Sequence, residues 1–203
     1  MDLVTALCRE GISLVDAAEV AGLDAPIRRL LQHTAKVHQR TEAVVRTGAD
    51  TPPRSSEFPR FDDDYRLFAQ FRSTLDALCH TLEMADPDGP SWNFTSEPRV
   101  NSFWPRRMAH ETTVHRVDAQ RAAGLEPTPA PTDEVVDGID EFVARMLPQT
   151  VSLAGTELQA TIHLHCTDAD GEWMLAFADG HLRVTREHGK GDLAVRGPAW
   201  GLF

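Results

Sequence analysis

Apolar residues recur at helical spacing through the first two thirds of the chain, and they predict a series of amphipathic helices. A first helix is predicted over residues 2–21, where the apolar positions are Leu3, Ala6, Leu7, Leu14, Ala17, Ala18 and Ala21. Gly22 follows as a helix stop, because glycine readily adopts the left-handed conformation that ends a helix. A second helix is predicted from Pro26, which suits a first turn, to Arg46.

Three further helices are predicted before the pattern changes. The third runs from Asp62 to Met84, and its acidic start, residues 62–64, is expected to complement the positive end of the helix dipole. The fourth is predicted from Ser102 to Ala123. A shorter fifth helix is predicted over residues 133–147, and Pro148 is expected to end it because proline has no amide hydrogen to donate.

The last quarter of the chain alternates apolar and polar residues with a period of two, which is typical of β-strands. Strands are predicted over residues 160–166, 172–178, 181–186 and 193–196. Helices first and strands last indicate an α+β protein with two parts, predicted here as residues 1–148 and 149–203. The strand region alone is marginal as a stable domain, so we expect it to lean on helices.

Composition narrows the class of protein. The 203 residues carry a formal net charge of −11, which argues against nucleic acid or an anionic membrane as the main partner. No apolar run has the length of a membrane span and the N-terminus lacks a secretory signal pattern, so a cytoplasmic location is expected. The cysteines, which are far apart and form no paired motif, are interpreted as buried or partly buried free thiols: Cys8, Cys79 and Cys166.

The fourth predicted helix carries the residues with the most specific chemistry. Glu111 and His115 are four apart, so their side chains lie about 40° apart around the helix axis and form half of a metal site. His110 is about 140° from His115 and cannot readily share an ion with it. The segment therefore does not satisfy the zinc-protease motif, in which two histidines four apart are both ligands.

A third ligand is predicted on the second helix. His33 lies on the face that also carries Leu30 and Val37, which is the predicted core face. Two imidazoles and a carboxylate from His33, Glu111 and His115 would leave a fourth coordination position open, as in catalytic zinc sites. The alternative is a metal-free pair, in which Glu111 hydrogen-bonds a histidine or an arginine inside the bundle.

Other polar residues rank lower as functional candidates. His38 is predicted to point away from His33, with a supporting role behind the ligands as an option. Asp118 and Arg116 are interpreted either as residues that support the site or contact the substrate, or as surface residues. His163 and His165 share one face of a predicted strand and could bind a metal themselves, although a solvated strand face is the favoured interpretation.

Several segments resemble the mycothiol-dependent maleylpyruvate isomerase family of actinobacteria, a branch of the DinB-like metalloenzymes. The most specific match is Ser102–Ala119, which contains both Glu111 and His115. The other matches are Leu31–His38, Asp137–Glu141, Met1–Ile27 and Asp192–Pro198.

The resemblance implies a DinB-like four-helix bundle followed by a small α/β domain similar to sterol-carrier proteins, here shortened at its C-terminal end. It also implies one divalent metal ion, usually zinc, held by His33, Glu111 and His115, with mycothiol as a co-substrate. Zinc lowers the pKa of a coordinated thiol, and the resulting thiolate can add to a conjugated double bond. The bond then rotates, and elimination returns the isomer.

The leading hypothesis is therefore a metal-binding, thiol-dependent isomerase or transferase that acts on a small electrophilic substrate. The expected partners are a small-molecule thiol and that substrate, and the expected assembly is a monomer or a homodimer. Two alternatives remain open at this point. One is a non-catalytic stress or sensor protein that binds metal or a small ligand, and the other is a zinc-dependent hydrolase.

Overall fold

The computed structural model describes residues 1–203, apart from the side chain of Ser55, and forms two compact units. The first unit spans Asp2–Thr128 and the second Pro129–Phe203. The domain boundary expected at residue 148 stays a prediction, and the helix after Thr128 shares a hydrophobic core with the strands. The α+β class, with a helical bundle first and strands last, is confirmed.

Four long helices form the first unit, and each matches a predicted helix. They are α1 (Leu3–Ala21), α2 (Ala25–Thr47), α3 (Leu67–Met84) and α4 (Phe103–Ala122). Both α1 and α2 pack against α3 and α4, so α1 and α2 are diagonal neighbours in the bundle. Across the described chain, none of the helices combines the length and the apolar surface that a bilayer crossing requires.

Local sequence sets the ends of α1 and α2. The carboxylate of Asp2 accepts hydrogen bonds from the first amides of α1, and Asp24 does the same for Ile27 in α2. The predicted stop at Gly22 is confirmed, and Gly48 ends α2 in the same way; both glycines have positive φ angles, 80° and 62°.

The start predicted for α3 is wrong by five residues. The helix begins at Leu67, and the acidic run of residues 62–64 lies before it. Asp63 accepts a hydrogen bond from the Tyr65 amide, and Asp64 forms an ion pair with Arg28 of α2 at 2.6 Å. These side chains stabilise a turn and a contact with a neighbouring helix, so they do not occupy the first turn of α3.

An apolar core fills the space between the four helices. Its most deeply buried large side chains include Leu7, Leu14, Leu31, Phe71, Leu78 and Met108. Cys8 of α1 and Cys79 of α3 form a disulfide beside this core, with Cα atoms 6.4 Å apart. The interpretation of all three cysteines as free thiols is therefore wrong for this pair, whereas Cys166 is free and buried.

The second unit begins with a helix that continues through Pro148. It consists of α5 (Thr132–Glu141), a π-helical turn (Phe142–Met146) and α6 (Leu147–Ala154). The prediction that Pro148 ends the helix is wrong, because Pro148 occupies the first turn of α6. In the wider π-turn the Leu147 amide donates to the carbonyl of Phe142, and this local change of period accommodates the proline ring.

A four-stranded sheet completes the second unit, and the strand predictions are confirmed to within one residue. The strands are β1 (Ala160–Cys166), β2 (Glu172–Ala178), β3 (His181–Thr185) and β4 (Leu193–Gly197), and a short helix α7 (Ala199–Leu202) follows. The order across the sheet is β3-β2-β1-β4, with β1 antiparallel to β2 and parallel to β4. One face packs on α5 and the π-turn through a core that includes Val135, Ile139, Val143, Trp173 and Leu175.

Candidate metal centre

The predicted ligands converge in the helical unit, where α2 and α4 pack together. Nε2 of His33 lies 3.3 Å from Oε1 of Glu111, and Nε2 of His115 lies 3.2 Å from the same oxygen. The donor atoms of the three residues all lie within 4.8 Å of one another. The i, i+4 spacing on α4 places Glu111 beside His115, and the packing of α2 on α4 supplies His33.

The cluster lies at the rim of the bundle. The side chain of His33 is 57% exposed, whereas those of Glu111 and His115 are 21% and 18% exposed. The prediction that His33 lies on the core face of α2 is wrong, because Leu31, Thr34 and His38 occupy that face. A rim position leaves one side of the cluster open to solvent, which a small-molecule ligand could approach.

Two charged residues hold the ligands in place. Arg107, which precedes Glu111 by one helical turn, donates to Oε2 of Glu111 and leaves Oε1 facing the two histidines. Nδ1 of His115 lies 3.3 Å from Oδ2 of Asp118, so Nε2 points toward Glu111. A carboxylate behind a histidine in this way is the usual support of a metal ligand. Asp118 was a candidate from the sequence and Arg107 was not, although its four-residue spacing from Glu111 was a usable signal.

Glu111 and His115 stabilise each other's charged forms. Burial raises the pKa of the Glu111 carboxyl, but the hydrogen bond from His115 and the charge of Arg107 outweigh burial and hold this pKa well below its usual range. Burial likewise lowers the pKa of His115, and its contacts with Glu111 and Asp118 outweigh burial and raise it. Glu111 is therefore ionised at neutral pH, and a metal ion would compete with a proton for His115.

The donor set fits a zinc-class ion. In a tetrahedral zinc site with bonds of 2.0–2.1 Å, neighbouring donor atoms are about 3.3 Å apart. The two distances to Oε1 of Glu111, 3.3 Å and 3.2 Å, match this spacing. The metal-free alternative has support as well, since Glu111 already pairs with Arg107 and His115. The metal content of the purified protein distinguishes the two states.

Arg116 takes part in a buried hydrogen-bond network that is separate from the candidate metal centre. Its guanidinium donates to Glu10 of α1, to Oε1 of Gln120 at 2.6 Å and to the carbonyl of Thr128 at 2.7 Å. The side chains of Arg116 and Glu10 are only 3% and 4% exposed. Arg116 is therefore a buried structural residue that ties α4 to α1, so the predictions that it supports the site, contacts the substrate or lies on the surface are wrong.

A cavity of about 690 Å³ adjoins His33, and its lining residues were not candidates from the sequence apart from His33. Three of its lining residues are basic, Lys36, Arg40 and Arg60, whereas Asp62 is acidic. The first two follow His33 along α2, and Arg60 comes from the loop before α3. The excess of positive charge favours an anionic small molecule beside the candidate metal centre.

His38 lies behind the cluster in a fully buried position. Its Nε2 is 3.1 Å from the hydroxyl of Thr112, and its Nδ1 has no hydrogen-bond partner among the described residues. Burial lowers the pKa of His38 to about 4, while the charge of Glu111 acts in the opposite direction and that of His115 in the same direction. His38 therefore stays neutral in the folded protein near pH 5, where an exposed histidine is protonated.

The difference between the pKa of His38 in the folded and in the unfolded protein predicts that the folded state loses stability in acid. In the unfolded chain His38 binds a proton below its usual pKa of about 6.5, so the free energy of unfolding falls as the pH drops from about 6.5 toward 4. The expected contribution of His38 between pH 7 and pH 5 is about 2 kcal/mol. Native-state hydrogen exchange of α2 and α4 in the metal-free protein measures it, and His38→Gln should remove this part of the pH dependence. An unchanged pH dependence in His38→Gln, matching the exposed control His80→Gln, would refute the assignment.

A protein-family model matches the helical unit. The family model described as the mycothiol maleylpyruvate isomerase N-terminal domain matches residues 4–120, which is more than half of the chain. The matched segment runs from α1 almost to the end of α4 and contains His33, Glu111 and His115. Neither the curated proteins nor the solved structures give a match. The chain thus belongs to the family of the mycothiol maleylpyruvate isomerase N-terminal domain.

Proposed function

We propose that this protein is a metal-dependent enzyme that uses a small thiol, mycothiol, in an isomerase or transferase reaction on a small anionic electrophile. The observation that carries the proposal is the convergence of His33, Glu111 and His115 at zinc-like spacing inside the segment that matches the family. The rim position and the basic cavity beside His33 favour a site that exchanges small molecules.

Each residue around the cluster has a defined task in this proposal. His33, Glu111 and His115 would hold the ion, and a zinc ion bound there would lower the pKa of a coordinated thiol enough to form thiolate near neutral pH. Arg107 fixes the Glu111 carboxylate through Oε2. Asp118 accepts from Nδ1 of His115, which keeps Nε2 available as the donor atom.

The cavity residues supply substrate selection. Lys36 and Arg40 are exposed on α2 one and two turns after His33, and Arg60 faces the same cavity. A carboxylate on the electrophile would be attracted to this basic group and would bring its double bond or leaving group close to the thiol. Attraction of this kind acts on the ground state and the transition state alike, so its loss raises KM more than it lowers kcat.

The proposal predicts turnover that depends on both metal and thiol. Zinc-reconstituted protein supplied with mycothiol and maleylpyruvate should isomerise the substrate, as followed by its change in absorbance. Glu111→Gln should lower kcat/KM by at least about 100-fold, since the loss of residues that only support a ligand already costs 10–100-fold. Lys36→Ala should raise KM with little change in kcat, and Lys190→Ala, in the other unit, is the matched control with no effect.

The alternatives give different results in the same assay. Turnover that continues without any thiol would favour a hydrolase, in which the nucleophile is water. Stoichiometric metal without turnover of any electrophile, neutral or anionic, would favour a non-catalytic binding protein. A Glu111→Gln variant as active as the wild type would contradict the proposed site directly.

A further inference from the structure

A second cluster of histidines lies on the outer face of the C-terminal sheet. Alternate residues of β1, including Leu164 and Cys166, face the core with α5, so His163 and His165 face the opposite side. Glu172 of β2 lies directly opposite His165 in the strand register and therefore shares its face. The favoured interpretation of a solvated face is wrong for His163, whose side chain is only 12% exposed.

The strand order explains why this outer face is covered. Because β3 and β4 lie at opposite edges of the sheet, the connection of residues 186–192 must cross β2 and β1. It passes very close to the strands: a Cβ on Gly189 would lie 3.0 Å from Sδ of Met174, and one on Gly191 would lie 2.9 Å from the amide nitrogen of His163. The crossing segment brings His188 onto the cluster.

The carboxylate of Glu172 is the centre of the cluster. Its Oε1 lies 3.0 Å from Nδ1 of His188, 3.7 Å from Nε2 of His163 and 2.5 Å from Nδ1 of His165. Tetrahedral coordination of zinc needs donor atoms about 3.3 Å apart, and the distances from Oε1 to His188 and His163, 3.0 Å and 3.7 Å, lie close to that spacing. The donor atoms of His163, Glu172 and His188 already lie within 4.8 Å of one another.

Two nitrogen atoms of the cluster are buried and unsatisfied. Among the described residues, none offers a hydrogen bond to Nε2 of His163 or to Nδ1 of His165, although both atoms are almost inaccessible to solvent. The short approach of His165 to Glu172 does not have the angles of a hydrogen bond. Buried polar atoms without partners are costly, and an ion bound between these nitrogens and the carboxylate would satisfy both.

We propose that His163, Glu172 and His188 form a second site for a divalent transition-metal ion of the zinc class, which the adjacent His165 would join as a fourth donor once its side chain turns toward the ion. Three imidazoles and one carboxylate suit zinc, cobalt or nickel, and a closed set of four protein donors is the layout of a structural site. The ion would fasten the segment of residues 186–192 to the sheet through His188. A cavity of about 1120 Å³, lined in part by His165, Glu172 and His188, provides a path for the ion to enter.

The test uses the full chain without the candidate centre of the helical unit. In the double variant His33→Ala/His115→Ala, titration with Co²⁺ should show one equivalent bound, with the intense visible absorption of a tetrahedral site. His188→Ala in this background should weaken Co²⁺ binding by at least about tenfold. His188 is 79% exposed, so this variant keeps the fold. His181→Ala, an exposed histidine of the same sheet, is the matched control and should bind Co²⁺ unchanged.

A second readout follows the crossing segment itself. Co²⁺ or Zn²⁺ should slow amide hydrogen exchange in residues 186–192 of the double variant, and Glu172→Gln should abolish this protection. Absence of bound Co²⁺ in the double variant would overturn the proposal, as would Co²⁺ binding that His188→Ala and Glu172→Gln leave unchanged. Because the first centre is removed throughout, these outcomes do not depend on whether the helical unit binds a metal.

Discussion

Replacing Arg116 by methionine is expected to lower the free energy of unfolding of the helical unit by about 3–5 kcal/mol. The variant leaves the carboxylate of Glu10 almost fully buried, with the partly exposed Arg9 as the cation that still contacts it. It also removes the donors to Oε1 of the buried Gln120 and to the carbonyl of Thr128, which is an exposed residue. Native-state hydrogen exchange of α1 and α4 measures the loss in this unit alone.

The double variant Glu10→Met/Arg116→Met shows how much of the lost stability comes from leaving the Glu10 carboxylate buried without Arg116. Replacing both partners of a buried ion pair by apolar residues is often neutral or stabilising, so the double variant should be more stable than Arg116→Met. Arg72→Ala is the surface control: Arg72 pairs with Glu19 with both side chains 44% exposed, and its loss should cost less than about 1 kcal/mol. A double variant less stable than Arg116→Met would contradict the explanation.

Local patterns were sufficient to predict most elements of the fold. The apolar spacing of α1, α2 and α4 and the alternation of β1 to β3 are properties of short segments, and the structure follows them closely. The start of α3 was missed because Asp64 has a better partner in Arg28 than in the helix dipole, and Arg28 is far away in sequence. Pro148 was misjudged because a π-turn changed the hydrogen-bond period just before it.

Features that depend on the packing of distant elements could not be predicted. The Cys8–Cys79 disulfide requires α1 to lie beside α3, and no sequence spacing reveals this contact across 71 residues. The approach of His188 to His163 depends on the strand order, which the alternation of residues does not contain. The cavity beside His33 includes Arg60 from a loop, and the position of that loop follows from tertiary packing.

The candidate metal centre could be predicted in part from local sequence and in part only from the packing of the helices. Glu111 and His115 could be paired from helical spacing alone, whereas His33 was selected as a histidine on a presumed core face and proved to be largely exposed. The structure still brings His33 to 3.3 Å from Glu111, because α2 crosses α4 at that level of the bundle. The structure therefore brings the three residues together, their role as metal ligands stays a prediction, and the expected depth of His33 in the bundle was wrong.

A second large effect, the loss of metal binding, is expected when two ligands of the candidate metal centre are removed. Removing two of three ligands with His33→Ala/His115→Ala leaves Glu111, paired with Arg107, as the remaining donor. One carboxylate that already accepts from a guanidinium cannot retain a zinc-class ion through dialysis, so binding at this centre should be lost entirely. The fold should persist, because both histidines lie at the rim and the core side chains are untouched.

Metal content after zinc reconstitution and dialysis, measured by plasma mass spectrometry, is the direct test of whether His33, Glu111 and His115 bind zinc. We expect His33→Ala/His115→Ala to hold one equivalent of zinc per chain fewer than the wild type. The exposed pair His80→Ala/His181→Ala, one histidine from each unit, is the matched control and should hold as much as the wild type. Because the result is a difference, it is the same whether or not the sheet binds a second ion. Equal zinc content in the wild type and in His33→Ala/His115→Ala would contradict the account and leave Glu111 and His115 as a hydrogen-bonded pair.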